Sequence, residues 1–162
     1  MSLLGDFIQL RDEKVKLAEE YEQGKSYEMA YVALWSVTEH TVKQVEEHRK
    51  ITDLRGKVAA WHYFFETETA TKRPAPIKSF SCEVKNIPDI KLIQESLGSV
   101  PAITKLLQTK QKGKSSKYRD KRNAIAHQAL KFGSDSVYLD YKATALAAIE
   151  ELERTLEGLE EK

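Results

Sequence analysis

Apolar residues recur every three or four positions along three long stretches of the chain, from Leu3 to Glu22, from Ser26 to about Lys50 and from Ser136 to Leu159. This spacing places one apolar stripe on each of three long α-helices. Between the first two stretches, Gly24 is typical of a helix end and Ser26 of a helix start. Because the link is short, we expect the first two helices to pair antiparallel.

A further helix is expected directly after the second stretch. Thr52 and Asp53 are suitable N-cap residues, and the helix would run through Val58 to Phe65, where five bulky residues follow one another. Five such residues exceed what one helix face needs. Two explanations stay open, burial on most sides and an oligomer contact, and burial is favoured.

The middle of the chain interrupts the helical pattern. Pro74 and Pro76 lie in a loop that begins near Thr69, because proline removes a backbone donor and holds the chain extended. Phe80–Val84 is either an isolated strand or part of this loop. Two short helices are then expected at Pro88–Leu97 and Pro101–Gln108. A charged loop at Lys110–Ser116 and a longer helix at Lys117–Leu130 follow them.

Length and composition favour one all-α domain. The 162 residues suit a single domain with its own core, and 7 Gly and 4 Pro are too few for a turn-rich all-β fold. We expect two long helices first and two facing helices last, with residues 69–108 inserted between the pairs. The single Cys82, and the lack of a leader or of a membrane-length apolar run, predict a cytoplasmic protein without a membrane anchor.

The net charge of +1 hides a strong asymmetry along the chain. Between Lys105 and Lys131 there are nine Lys and Arg residues against one acid, whereas Asp140 to Lys162 holds seven acids against three basic residues. This distribution predicts one side that faces a polyanion and another that faces solvent or a partner.

Several kinds of site are disfavoured by the residue pattern. The four histidines, His40, His48, His62 and His127, are not spaced like metal ligands. Cys82 has no nucleophile signature around it, and no glycine-rich phosphate loop occurs. Glu39 and His40 lie in the middle of a helix, where one of them could face inward, but a solvated pair is favoured. We expect no metal and no other cofactor.

The helix from Lys117 to Leu130 carries the most informative side chains. Arg119, Asn123 and His127 are each four residues apart and share one stripe. Arg122 precedes His127 by five residues, about 140° around the helix. Its charge can reach the imidazole only through its long side chain, or from a second copy of the helix. Three apolar residues are expected to hold the helix on the core: Ile125, Ala129 and Leu130.

Arginine and histidine in a basic segment match one chemistry in particular, the cleavage of RNA by its own 2′-hydroxyl. Histidine titrates near neutrality and can act as general acid or base, and arginine can stabilise charge on the phosphoryl oxygens. Basic residues around them would concentrate the substrate. The alternative is an arginine and a histidine that lie on a solvated helix face without a function.

The segment Arg122-Asn123-Ala-Ile-Ala-His127 resembles the Arg-x4–6-His signature of the HEPN domain superfamily, in which a polar residue commonly follows the arginine. The spacing of Tyr27, Ala30, Leu34, Trp35 and Glu39 is similar to the first half of that domain. The resemblance implies an antiparallel four- to five-helix bundle that usually forms homodimers, so that two motifs meet in one cleft. Many members are metal-independent endoribonucleases of toxin, phage-defence or RNA-processing systems.

The resemblance also implies roles for individual residues. His127 would be the acid or base, Arg122 would stabilise the phosphate, Asn123 would orient His127 or the phosphate, and Glu39 would assist. Two features fall outside the minimal pattern of the superfamily: residues 69–108, which would form a family-specific cap, and the loop Lys110–Lys117, which would hold the substrate. The RNA-binding residues would be Lys112, Lys114, Lys117, Arg119 and Lys121.

Two alternatives belong to other functional classes. Some members of the superfamily have lost catalysis, so the chain could be a nucleotide-binding or protein-interaction module, held by a nucleotidyltransferase-like antitoxin or another partner. It could also be a helical scaffold whose basic loop touches nucleic acid non-specifically.

Overall fold

The computed structural model describes residues 2–78, 80–111, 113 and 116–161. These residues form an all-helical structure without a β-strand, which confirms the predicted fold class. The helices are α1 (Leu3–Gln23), α2 (Tyr27–Glu66), α3 (Ile90–Leu97), α4 (Pro101–Leu107), α5 (Lys117–Gln128) and α6 (Asp135–Glu160). Within the described residues, no helix has the length and the hydropathy that crossing a bilayer requires.

The core lies between the α1–α2 hairpin and α6, and α4 packs against α6 from the other side. Its largest fully buried side chains are Trp35, Tyr31, Tyr138 and Phe7. The start of α4 is held by a side chain of α6, because the buried carboxylate of Glu151 accepts hydrogen bonds from the backbone N–H groups of Ala102 at 3.1 Å and Ile103 at 2.9 Å. A carboxylate satisfies the free donors at a helix N-terminus and is stabilised by the helix dipole.

The predicted break between two helices at Thr52 and Asp53 is wrong, because α2 is one continuous helix of 40 residues. N-cap residues are compatible with a helix interior when no proline follows them, and Asp53 forms an i,i+4 ion pair with Lys57 at 3.2 Å. The buried residues of α2 end at Glu46, so its second half leaves the bundle.

The expected burial of the five bulky residues from Trp61 to Phe65 is also wrong. Tyr63 is 66% exposed and Phe65 is 74% exposed. The loop that follows α2 covers part of this half, where Trp61 Nε1 donates a hydrogen bond to the Ala75 carbonyl at 3.0 Å. Residues 80–84 form no strand.

Helix α1 ends at the predicted Gly24 and α2 begins after the predicted Ser26, but glycine is not the left-handed residue of the turn between them. Gly24 has a φ of −83°, and the left-handed residue is Lys25, with a φ of +59°. Ser26 precedes α2 but makes no side-chain capping hydrogen bond. A residue with a Cβ atom is therefore held in a conformation that favours glycine.

Lys25→Gly is expected to stabilise the protein by about 1 kcal/mol, because glycine adopts a positive φ without the steric cost of a Cβ atom. Urea unfolding monitored by circular dichroism would measure this change in the free energy of unfolding. Lys25→Ala is the matched control, since it removes the same charge and keeps the Cβ atom. An equal gain in both variants would mean that charge, not backbone conformation, limits stability here.

Candidate functional site

Helix α5 is fixed to the bundle by aromatic residues. Tyr118 is its buried residue, and the buried hydroxyl of Tyr31 on α2 donates a hydrogen bond to the Tyr118 carbonyl at 2.7 Å. The Tyr118 ring packs edge-on against Tyr141 of α6 at 5.2 Å between centroids. Burial raises the pKa of Tyr31 far above its ordinary value, so this hydroxyl remains protonated and keeps donating.

The apolar residues expected to anchor α5 are only partly correct. Ile125 does pack against the core, but Ala129 is exposed and Leu130 is 44% exposed. These two residues are exposed because α5 ends at Gln128. Ala129 adopts a left-handed conformation with a φ of +51°, so the chain does not continue as a helix. Sequence reasoning missed Tyr118, although Tyr118, Arg122 and Ile125 have the i, i+4, i+7 spacing of one helix face.

Arg122 lies on this inward face and meets Glu39 of α2. Its Nη2 atom is 3.0 Å from Glu39 Oε2, and its Nη1 atom donates a hydrogen bond to Asn123 Oδ1 at 3.2 Å. Lys43 adds a second cation at 3.3 Å from Glu39 Oε1. Glu39 is only 17% exposed, so the favoured solvated Glu39–His40 pair is wrong for Glu39, whereas His40 is exposed.

One donor of the Arg122 guanidinium is not used by this arrangement. The Nε atom is buried and has no hydrogen-bond partner among the described residues. An unpaired buried donor carries a desolvation cost that a bound oxygen would remove. Arg122 is therefore held in place by two neighbours, while 27% of its side chain remains exposed and accessible to a further acceptor.

His127 lies apart from these three residues. It is exposed in the last turn of α5, and no hydrogen bond or ion pair joins it to another described side chain. The structure thus brings together Arg122, Asn123 and Glu39, and it leaves His127 on the outer surface of the same helix. This agrees with the angular separation of Arg122 and His127 along a helix.

The residues expected to bind RNA are mostly engaged within the chain. Lys117 pairs with Asp140 of α6 at 2.6 Å, Arg119 donates a hydrogen bond to the Leu107 carbonyl at 2.8 Å, and Lys121 donates one to the Lys131 carbonyl at 3.1 Å. Lys112 and Lys114 lie outside the described residues. Three of the predicted basic residues therefore help to fix α5 on its neighbours.

Two cavities of the bundle are lined mostly by residues outside this site. A cavity of about 910 Å³ lies at the opposite end of the bundle, between the start of α1 and the end of α6, and is lined by residues such as Ser2, His48 and Glu160. A second cavity of about 500 Å³ reaches the site helix only at Arg119. Residues 2–78, 80–111, 113 and 116–161 contain no group of three His, Cys, Asp or Glu residues arranged to hold a metal.

Comparison with known proteins finds no relative for this chain. No protein-family model matches it, and no curated protein or solved structure is significantly similar to it. The site is therefore interpreted from its own geometry.

Asp140→Asn is expected to destabilise the protein by less than about 1 kcal/mol at neutral pH, because it removes a partly exposed ion pair that ties α5 to α6. The hydrogen bond from Lys117 lowers the pKa of Asp140 below its ordinary value of 3.8. This contribution is therefore complete above the unfolded-state pKa and is lost as the pH falls through the folded-state pKa.

Urea unfolding of both proteins at about pH 7 and about pH 2 would test this dependence, with a stability difference expected only at the higher pH. Glu157→Gln, at an exposed acid of α6, is the matched control and should behave like the unchanged protein at both pH values. A difference that persists at the lower pH would mean that Asp140 does not act through its charge.

Proposed function

We propose that this protein is a metal-independent endoribonuclease of the HEPN type, acting as a homodimer in the cytoplasm as a toxin or a phage-defence component. The observation that carries the proposal is the partly buried support of Arg122 by Glu39 and Asn123. An arginine on a solvated face without a function needs no such support. The RNA-cleaving arrangement needs its cation held in a fixed position before the substrate binds.

The proposed reaction uses the 2′-hydroxyl of the substrate. His127 accepts the 2′-hydroxyl proton while the 2′-oxygen attacks the adjacent phosphorus atom, the bond to the 5′-oxygen breaks, and the leaving oxygen takes a proton from a second acid. The products are a 2′,3′-cyclic phosphate and a 5′-hydroxyl end. Arg122 stabilises charge on the non-bridging oxygens through its partly exposed guanidinium.

Each chain supplies one His127, whereas the reaction needs a base and an acid. A second copy would provide the other imidazole and would also bring its His127 towards the first Arg122. The exposure of His127 supports this arrangement, because an exposed imidazole is accessible to a partner chain. The described residues of one chain alone do not place His127 beside Arg122.

The Glu39–Arg122 ion pair also favours a second function, because it reduces the charge that Arg122 offers to a substrate. Glu39 neutralises much of the Arg122 charge, and the described basic residues of α5 are engaged within the chain. Such a surface also suits a non-catalytic module that binds a nucleotide or a partner, including a nucleotidyltransferase-like antitoxin. In that case Arg122 has a structural role and His127 is a contact residue.

The first experiment is cleavage of a mixed-sequence RNA by the purified protein in EDTA. His127→Ala is expected to lose activity by about 100-fold or more, because general acid–base catalysis contributes at least that much. His48→Ala, at another exposed histidine, should cleave like the unchanged protein. Product ends should carry the cyclic phosphate. The absence of cleavage by the unchanged protein would favour the binding module.

Glu39→Gln tests two effects of the Glu39–Arg122 ion pair, namely that it holds Arg122 in position and that it neutralises the Arg122 charge. The substitution keeps the side-chain size and removes the charge that holds Arg122, so RNA should bind more tightly while the cleavage rate falls about tenfold, which corresponds to about 1.4 kcal/mol. Fluorescence anisotropy and single-turnover cleavage would measure the two quantities. Glu13→Gln, at an exposed acid of α1, is the control. Unchanged affinity and rate would contradict a role for Glu39 in positioning Arg122.

A further inference from the structure

The second half of α2 forms an arm that extends away from the bundle. Buried residues of this helix end at Glu46, and the helix continues to Glu66. At 1.5 Å per residue, this part of α2 is about 30 Å long. A soluble chain rarely exposes a helix of this length with bulky apolar side chains unless another molecule covers it.

The arm carries an exposed apolar stripe. Ile51, Val58 and Phe65 are seven residues apart and are 36%, 40% and 74% exposed. Residues at this spacing lie two turns apart on one line along the helix. The same seven-residue repeat lets the side chains of one helix insert between those of another.

The stripe is braced from one side by the loop after α2. Trp61 is tied to the Ala75 carbonyl at 3.0 Å, and the Arg73 guanidinium lies 5.5 Å from the centre of the Trp61 ring. Further along, Glu47 Oε1 accepts a hydrogen bond from Val84 N at 3.1 Å. The loop contacts the arm at these points and leaves the stripe exposed.

Basic residues outnumber acids in the chain segment that contains the arm and the loop after it. From Lys50 to Lys78 there are six Lys and Arg residues against three acids, and one of those acids, Asp53, is paired with Lys57 at 3.2 Å. Arg55 and His62 flank the stripe on the side away from the loop, at 40° and 20° from Ile51 on an ideal helix of about 100° per residue. Both side chains are exposed.

We propose that the arm binds an amphipathic helix with acidic flanks from a partner protein. The seven-residue stripe would receive the apolar face of that helix. The basic residues beside the stripe would pair with its acids, and such complementary charge selects the partner and speeds association. The arm is separate from the Arg122 site, so this proposal does not depend on ribonuclease activity.

Two other occupants fit the arm less well. A second copy of the arm would place positive flanks against positive flanks, and like charges at these positions disfavour pairing. Single-stranded nucleic acid binds through bases stacked on aromatic faces. Of the three stripe residues only Phe65 has such a face, and the Trp61 ring is already contacted by Arg73 and by Phe65, whose centroid lies 5.6 Å away.

The test uses a fluorescein-labelled model peptide, a designed helix with leucine at the a and d positions and glutamate at the e and g positions. It should bind the full chain, whereas the same peptide with lysine in place of glutamate should not. Val58→Glu should weaken binding at least tenfold. Val137→Glu is the matched control, because Val137 is a valine of α6 with 42% exposure against 40% for Val58. Arg55→Glu should weaken binding of the acidic peptide.

The results of these experiments distinguish an acidic partner helix from a second copy of the chain and from single-stranded nucleic acid. Equal binding by Val58→Glu and the unchanged protein would overturn the proposal, as would tighter binding of the lysine peptide. A homodimer in sedimentation that Val58→Glu alone dissociates would assign the arm to a second copy. Displacement of the acidic peptide by single-stranded RNA, abolished by Phe65→Ala, would assign it to nucleic acid. Thermal unfolding of each variant verifies that the bundle is intact.

Discussion

The buried hydrogen bond between the Tyr31 hydroxyl and the Tyr118 carbonyl joins the α1–α2 hairpin to the helix that carries the site. The Tyr31 ring also contacts Phe132 and Tyr141, at 5.9 Å and 5.3 Å between centroids. Aromatic side chains bury a large area and pack in specific orientations. This cluster therefore fixes the direction in which α5 presents its residues, and it turns the face of Arg122 towards α2.

Once α5 is docked in this way, Glu39 and Arg122 meet. An ion pair at a partly buried position restrains a long flexible side chain, and it also reduces the charge available to a substrate. The same contact thus organises the proposed site and opposes anion binding. Which of the two effects prevails depends on the exposed part of the Arg122 side chain and on the exposed His127, to which Arg122 is not bonded within one chain.

Helix α2 is one continuous helix whose two halves have different surroundings. Its first half is packed between α1 and α6, and Tyr31, Trp35 and Val42 are almost completely buried there. Its second half is supported mainly by a loop and exposes apolar residues. Local helix propensity does not distinguish these halves, because both sequences favour a helix and differ only in what packs against them.

The sequence by itself determined most of the helices, because apolar spacing and N-terminal or C-terminal signals are local properties. The N-cap residues Thr52 and Asp53, however, predicted a break that α2 does not have. It also identified Arg122, Asn123, Glu39 and His127 as the residues to examine. Only the tertiary structure decided that Glu39 is inward and paired, that Tyr118 anchors α5 while Leu130 does not, and that Phe65 is exposed. Each of these outcomes depends on contacts between residues far apart in the chain. Periodicity within one helix shows which residues share a face, but not what that face meets.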